Sequence, residues 1–320
     1  SIGLKSMAAI TKTTNNLKDY RANSLWRLTL RRILRQRNAM IGLGILGFLL
    51  LVTVFAPVLA PYDPNQVLIG VEEGVFRRQP PCIHAFGCPA DQPQHILGID
   101  GNVRDEFSRV IFGTRVSLFI GFSTIGFAIL IGTLLGAIAG YFGGAVDNII
   151  MRILDVLMAF PSLLLAIAIV TVLGPGLENA LVAIGIVTIP VYARVIRGSV
   201  LSVKETNYVS ASRAMGASAW HILFQRILPN VLPPLIVQAT LGIGTAILDA
   251  AALSFLGLGA QPPLAEWGTM LGVERNQVFT APHLVFFPGI AIMITVLAFN
   301  LMGDGLRDAI DPRLSQIKHG

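Results

Sequence analysis

Few side chains in this 320-residue sequence are spaced to do chemistry, and they fall into two groups. Cys82 and Cys88 are the only thiols, with His84 between them and His95 following. These are zinc-ligand types, but the spacing fits neither a zinc ribbon nor a CxxC redox pair, and two thiols with one nearby imidazole leave a tetrahedral site incomplete. In an oxidising compartment the two thiols can pair. We read a Cys82–Cys88 disulfide and no metal, with two free thiols or a metal site using His84 and His95 as the alternatives. The second group is one residue. Asp249 is the only charge inside the apolar run Ile227–Ala265. A charge at the centre of a membrane span costs about 2.5–3.5 kcal/mol unless it is paired or faces water. Asp249 could therefore line a path and attract an ammonium group; a hydrogen bond to Ser254 or to backbone is the alternative. No GxxxxGK[ST] phosphate loop, HExxH helix or GxSxG turn occurs, so no catalytic residue is expected.

The elements that must position these residues are membrane helices. The chain is 53% hydrophobic and 13% charged, with mean hydropathy +0.68, whereas a soluble domain carries about 25% charged residues. An ordinary cytoplasmic enzyme, a disordered chain and a coiled coil are excluded. A hydrocarbon core takes about 20 apolar residues as helix. The runs Ala39–Ala60, Val116–Val146, Val156–Leu177, Asn179–Ala193, Ile227–Ala265 and Asn276–Gly303 predict six transmembrane helices, the third and fourth divided at Gly174-Pro175-Gly176. The first run is long enough to span, so no cleavable signal peptide is read. The fold class is thus all-α and polytopic. Gly132, Gly136 and Gly140 recur every four residues and make a groove for another helix, as Gly42, Gly44 and Gly47 do less regularly. Pro161, Pro190, Pro233, Pro234 and Pro288 suggest kinked helices around a path.

Charge placement sets the orientation. Nine Lys/Arg precede Ala39, five lie in Arg194–Arg226 and Arg152 guards a short loop, while Tyr62–Thr114 carries four Lys/Arg against seven Asp/Glu. The positive-inside rule puts both termini in the cytoplasm and Pro61–Thr114 outside. The formal charge of +6 then serves topology, and no nucleic-acid partner is expected beside the lipid bilayer. The expected divisions are a cytoplasmic segment 1–38, a first span 39–60, an external loop 61–114, a five-helix core 115–303 containing a loop at 200–228, and a tail 304–320. Within the external loop, Val103–Gly113 reads as an amphipathic helix lying at the membrane surface, with a simple loop cap as the alternative. Asp155 is expected to pair with Arg152, three residues away.

The loop between the fourth and fifth spans is patterned. Thr206 or Asn207 can cap a short helix to Met215, Gly216 can end it, and Ser218 can cap a second helix. Trp220, Leu223, Phe224, Ile227 and Leu228 then form an apolar stripe on one face, followed by Pro229. This is a docking element, or an interfacial helix on headgroups.

Here the chain resembles a family. YVSASRAMGASAWHILFQRILPN (208–230) resembles the EAA loop of binding-protein-dependent ABC-importer permeases, with Ser210-Ala211-Ser212 in place of Glu-Ala-Ala, then Arg213, Gly216, Ala217, Ile227 and Leu228-Pro229. The segments RQRNAMIGLGILGFLLLVTVFAPVLAPYDP, ALSFLGLGAQPPLAEWGTML and FFPGIAIMITVLAFNLMGDGLRDAIDPRL resemble the C-type permeases of the dipeptide, oligopeptide and nickel group. So does HILGIDGNVRDEFSRVIFGTRVSLFIG, where His95, Leu97, Gly98, Asp100, Arg104 and Asp105 match and Ile99 and Val103 replace Thr and Gly. The insertion around Cys82–Cys88 lies outside the pattern. The resemblance implies a bacterial inner-membrane permease subunit that is not itself an enzyme. It implies a second homologous permease, two cytoplasmic ATPase subunits carrying ATP and Mg, and a solute-binding protein that delivers peptide. It assigns Ser210–Arg213, Gly216, Ala217, Trp220, Phe224, Leu228 and Pro229 to coupling, His95, Gly98, Asp100, Arg104 and Asp105 to the binding-protein side, and Asp249 and Ser254 to the path. Nickel or another small solute, or a stand-alone secondary transporter, are the alternatives.

Overall fold

The computed structural model describes residue 34 and residues 36–89 and 91–310. Most of segment 1–38, with its basic residues, and residues 311–320 of the tail lie outside the described residues. The helices are α1 (Arg37–Leu59), α2 (Glu106–Phe142), α3 (Gly144–Met158), α4 (Ser162–Leu173), α5 (Leu177–Val203), α6 (Asn207–Ala214), α7 (Ala219–Phe255), α8 (Trp267–Glu274) and α9 (His283–Ile310). Among the described residues no strand forms. Five helices are long and apolar enough to cross a bilayer, and α3 and α4 reach that length only together, as a bent pair.

That bent pair corrects the sequence reading. Val156–Leu177 is not one helix: α3 and α4 meet at 90° across Ala159–Pro161. Proline clashes with a helical residue before it, so the chain must leave the helix at Phe160. An uncharged run scores as a span whether or not it bends.

Small residues determine the packing. A Cβ at Gly132 would stand 2.8 Å from Tyr192 Cβ and 2.9 Å from Ile189 O, one at Gly136 would strike Ala193 O, and one at Gly140 would meet Arg197 O at 3.0 Å. The three glycines thus face α5 and bring two backbones together, as dispersion-driven packing in lipid requires. Gly42 does the same against Ala298 and Met302 of α9, whereas Gly44 and Gly47 meet nothing.

Several helix ends differ from the apolar runs. Arg194 and Arg197 fall inside α5, because acids on α3 neutralise them: Arg197 donates twice to Asp147, and Arg194 pairs with Asp155. Asp155 therefore does not pair with Arg152; α3 and α5 lie side by side and offer the better partner. The segment Val103–Gly113 is not a surface helix, since from Glu106 it is the first stretch of α2. Its polar residues Arg104, Asp105 and Arg109 are buried as fully as Val103 and Ile111. The core consequently begins at 106 rather than 115. α7 stops at Phe255, where Gly257 turns left-handed (φ +80°), and α9 starts at His283 and runs into the expected tail as far as Ile310. Residues 60–105 and 256–282 gather into a cap at one end of the bundle. The α6–α7 hairpin projects at the other, where Trp220 meets Phe142 at the end of α2.

Candidate functional site

The hairpin is built from its capping residues. Thr206 is the N-cap position of α6, although its hydroxyl donates back to Val203 O at 2.6 Å. α6 closes with Gly216 at φ +79°, its N–H donating to Arg213 O and that of Ala217 to Ser212 O. This pair of bonds is a Schellman ending, and glycine takes its left-handed residue without a Cβ clash. Ser218 then caps α7 by accepting from His221 N–H at 3.3 Å.

The expected single stripe is split. Residues Ile222–Ile227 form a π-helical stretch, so Leu223 and Ile227 turn fully inward with Ile222, and Leu228 is half-buried. Trp220 and Phe224 remain about half exposed (52% and 46%), their rings stacked at 5.9 Å, with Phe142 edge-on to Trp220 at 5.6 Å. Met215 and Tyr208 lie exposed on the same hairpin, as do Ser210, Ala211, Arg213, Gly216 and Pro229; Ala217 is half-buried. Ser212 faces inward and donates to Tyr208 O at 2.9 Å. An aromatic platform bordered by small and polar residues marks a contact surface.

Asp249 lies on a different face. It is half-buried, and among the described residues it accepts no hydrogen bond and pairs with no cation. Its neighbours Thr245 and Leu248 on α7, and Leu256 just past its end, are exposed. The alternative of a bond to Ser254 fails: Ser254 is buried, and its hydroxyl oxygen accepts from Ala260 N–H at 3.1 Å.

The cap holds the largest polar cluster. His95 is fully buried, with Nδ1 2.8 Å from Asp105 Oδ1, and its ring packs 5.3 Å from that of Tyr62. Glu72 Oε2 is 3.3 Å from His95 Nε2 but outside hydrogen-bonding geometry. Burial and the hydroxyl's bond to Glu72 push Tyr62 up to about 12. Asp105 also caps α2, its Oδ2 accepting from Ser108 N–H and Oγ–H at 2.7 Å each. Asp100 Oδ2 accepts from Arg104 Nε at 2.8 Å and lies 2.7 Å from its Nη2, and Oδ1 accepts from the N–H groups of Asn102 and Arg104 at 2.9 Å each. Arg109 reaches across both halves of the cap, donating to Pro64 O at 2.8 Å and Pro263 O at 3.3 Å. Glu274 takes Arg78 Nε at 2.9 Å and Gly101 N–H at 3.0 Å. Glu266 caps α8 through Gly268 and Thr269, and burial raises its carboxyl above the ordinary range.

This arrangement corrects the outward assignment of His95, Gly98, Asp100, Arg104 and Asp105. All five are buried and hold the cap together from within. Val103 stands where the family pattern has glycine and takes φ +59°. That strain, about 1–3 kcal/mol, is matched by burying the valine against Leu68 and Ile99, worth about 1.5–3 kcal/mol. Cys82 and Cys88 are joined in a disulfide, so both sulfurs are withdrawn from the alternative metal site, and Cys82 N–H donates to His95 O at 2.9 Å. Sequence reasoning missed Glu106, Arg109, Glu266 and Glu274. The signal for Arg109 was a charge at the head of an apolar helix, which must find partners: it takes Pro64 O, Pro263 O and, at 3.5 Å, Asp100 Oδ2.

Two family models match the chain: the binding-protein-dependent transport system inner membrane component over residues 132–316, and the N-terminal TM domain of oligopeptide transport permease C over residues 24–81. The dipeptide transport system permease protein DppC of Alkalihalophilus pseudofirmus is 46% identical over 300 residues, 92% of each chain. The di/tripeptide transport system permease protein DppC of Pseudomonas aeruginosa is 48% identical, covering 85% of this chain and 88% of that one. The glutathione transport system permease protein GsiD of Pectobacterium atrosepticum is 44% identical, covering 96% and 97%. Among solved structures, an inward-facing MetNI methionine ABC transporter chain superposes with TM-score 0.53 at 21% identity, covering 63% of this chain and 97% of that one, which supports the fold alone.

Proposed function

Because the chain belongs to the family of binding-protein-dependent transport system inner-membrane components, we propose that it forms half of the membrane path of an ATP-driven peptide importer. The observation that carries this reading is the hairpin with its exposed Phe142, Trp220 and Phe224 at the end of the bundle remote from the cap. A second, homologous permease completes the path. Two ATPase subunits, which bind ATP and Mg, grip the hairpins from the cytoplasm, where both termini also lie. A solute-binding protein docks on the external cap of this bacterial plasma-membrane assembly. The chain does no hydrolysis itself.

The mechanism follows from rigidity. Leu223 and Ile227 root the hairpin in the bundle, and the Gly132–Gly136–Gly140 face locks α2 to α5. Force applied at Trp220 therefore moves whole helices. Closely packed helices switch between discrete arrangements, here inward- and outward-facing, and nucleotide supplies the difference in affinity that drives the change. Asp249, half-buried and without a cation partner among the described residues, offers a carboxylate to the peptide's ammonium group as it passes.

The test is reconstitution of all subunits in proteoliposomes. ATP-dependent uptake of labelled di- and tripeptides is expected. Uptake without nucleotide, or of nickel but not peptide, would overturn the assignment. In the same vesicles Asp249→Asn should slow uptake of free-amine peptides about tenfold, equivalent to about 1.4 kcal/mol, while affecting N-acetylated peptides little. Equal rates and affinities for wild type and variant would remove Asp249 from the path.

A further inference from the structure

Pro57 lies near the cap end of α1. Having no N–H, it leaves the carbonyl of Thr53, four residues earlier, without its helical donor. In lipid that vacancy is costly, because no water is present to fill it. Arg115 of α2 fills it, donating from Nε to Thr53 O at 2.8 Å. The guanidinium carbon also stands 5.7 Å from the ring centroid of Phe112. The group is therefore held at one edge and against one face. Its outer edge is uncommitted: among the described residues Nη1 and Nη2 meet no acceptor, and Arg115 pairs with no carboxylate.

The surroundings say what kind of ligand reaches that edge. Val54, Val58 and Phe119, on the same two helices, are 65%, 82% and 59% exposed. With no protein cover among the described residues, such side chains on membrane-spanning helices suit a hydrocarbon surround. Thr53 is six residues short of Leu59, or about 9 Å along the axis, which leaves the guanidinium within reach of the headgroup layer on the cap side. A cation at this depth is a functional-site candidate by default, and its free N–H fork matches two oxygens of a phosphate.

We propose that Arg115, seated on Thr53 and Phe112, binds the phosphate of an anionic phospholipid in the cap-side leaflet. The lipid staples α1 to α2 at the end where proline has broken the backbone ladder. Arg115 thus acts through the lipid and takes no part in transport chemistry.

The full transporter, purified from membranes and incorporated into nanodiscs of mixed phosphatidylglycerol and phosphatidylcholine, provides the test by native mass spectrometry. Wild type should retain phosphatidylglycerol in preference to phosphatidylcholine. Arg115→Gln should lower that preference about threefold or more, the loss of one charge-assisted bidentate contact. Arg115→Lys, which keeps the charge but not the planar fork, should fall between the two. Pro57→Ala returns an N–H to Thr53, competes with Arg115 for the carbonyl, and should also weaken retention. Should Arg115→Gln fail to assemble, Arg115→Lys and Pro57→Ala carry the comparison. Unchanged phosphatidylglycerol preference in the variants would overturn the proposal. So would displacement of the lipid by inorganic phosphate, or cross-linking of position 115 to another protein subunit in place of lipid. None of these outcomes bears on ATP-dependent uptake, so the proposal can fail while the importer assignment stands.

Discussion

Trp220→Asp is expected to abolish peptide uptake by the reconstituted transporter while its ATPase subunits continue to hydrolyse ATP. The argument has two parts. The variant should fold, because position 220 lies in the first turn of α7, just after the Ser218 cap, where an acidic side chain is favoured by the helix dipole. The contact should fail, because Trp220 stacks on Phe224, meets the edge of Phe142 and supplies the broadest surface of the platform. Buried tryptophan anchors are worth about 2 kcal/mol or more at interfaces, and a carboxylate in a desolvated groove adds its own cost. Binding of the ATPase subunits should weaken about thirtyfold or more on that arithmetic. Gly216→Trp should uncouple too, since a side chain at φ +79° costs about 1–2 kcal/mol and shifts α6 against α7. Normal uptake per ATP in both variants would refute the lever mechanism.

The second large effect concerns the cap. Asp105→Ala should prevent accumulation of the intact transporter, seen as loss of the assembled complex from membranes and of its thermal stability in detergent. One carboxylate satisfies His95 Nδ1, Ser108 N–H and Ser108 Oγ–H, all buried. Alanine leaves them unmet, at about 1–3 kcal/mol each. Asp105→Asn keeps an oxygen for the α2 cap and should be much milder. A stable, fully assembled Asp105→Ala protein would show that the cluster does not hold the cap. Changing the exposed Asp91 should have little effect by comparison, because surface substitutions rarely exceed about 0.5 kcal/mol.

What could be read from the sequence was what depends on local spacing. Gly132, Gly136 and Gly140 declare a close helix contact by their period, and α5 takes it. Gly216 and Ser218 declare a helix end and a helix start, and the Schellman ending and serine cap are there. What could not be read was direction and partnership across long separations. The run containing Pro161 is apolar throughout, so hydropathy gives no sign of the 90° bend between α3 and α4. Asp100 and Arg104 carry charge and read as surface, whereas mutual neutralisation lets them be buried in the cap. The partnership of Pro57 with Arg115 escaped for a similar reason: the vacancy is on one helix and the donor 62 residues away on another. The π-helical stretch at Ile222–Ile227 divided a stripe that an ideal helical period would keep whole.

The most direct test of the central claim uses the chain's own chemistry. Its only two cysteines are joined as Cys82–Cys88, so Met215→Cys introduces a single free thiol at the exposed hairpin tip. With a short thiol-directed photo-cross-linker on that thiol, the assembled transporter should yield a permease–ATPase adduct, with a yield that changes between nucleotide-free and ATP-bound states. Labelling of lipid or solvent alone in every nucleotide state, in a complex that still transports peptide, would contradict the account.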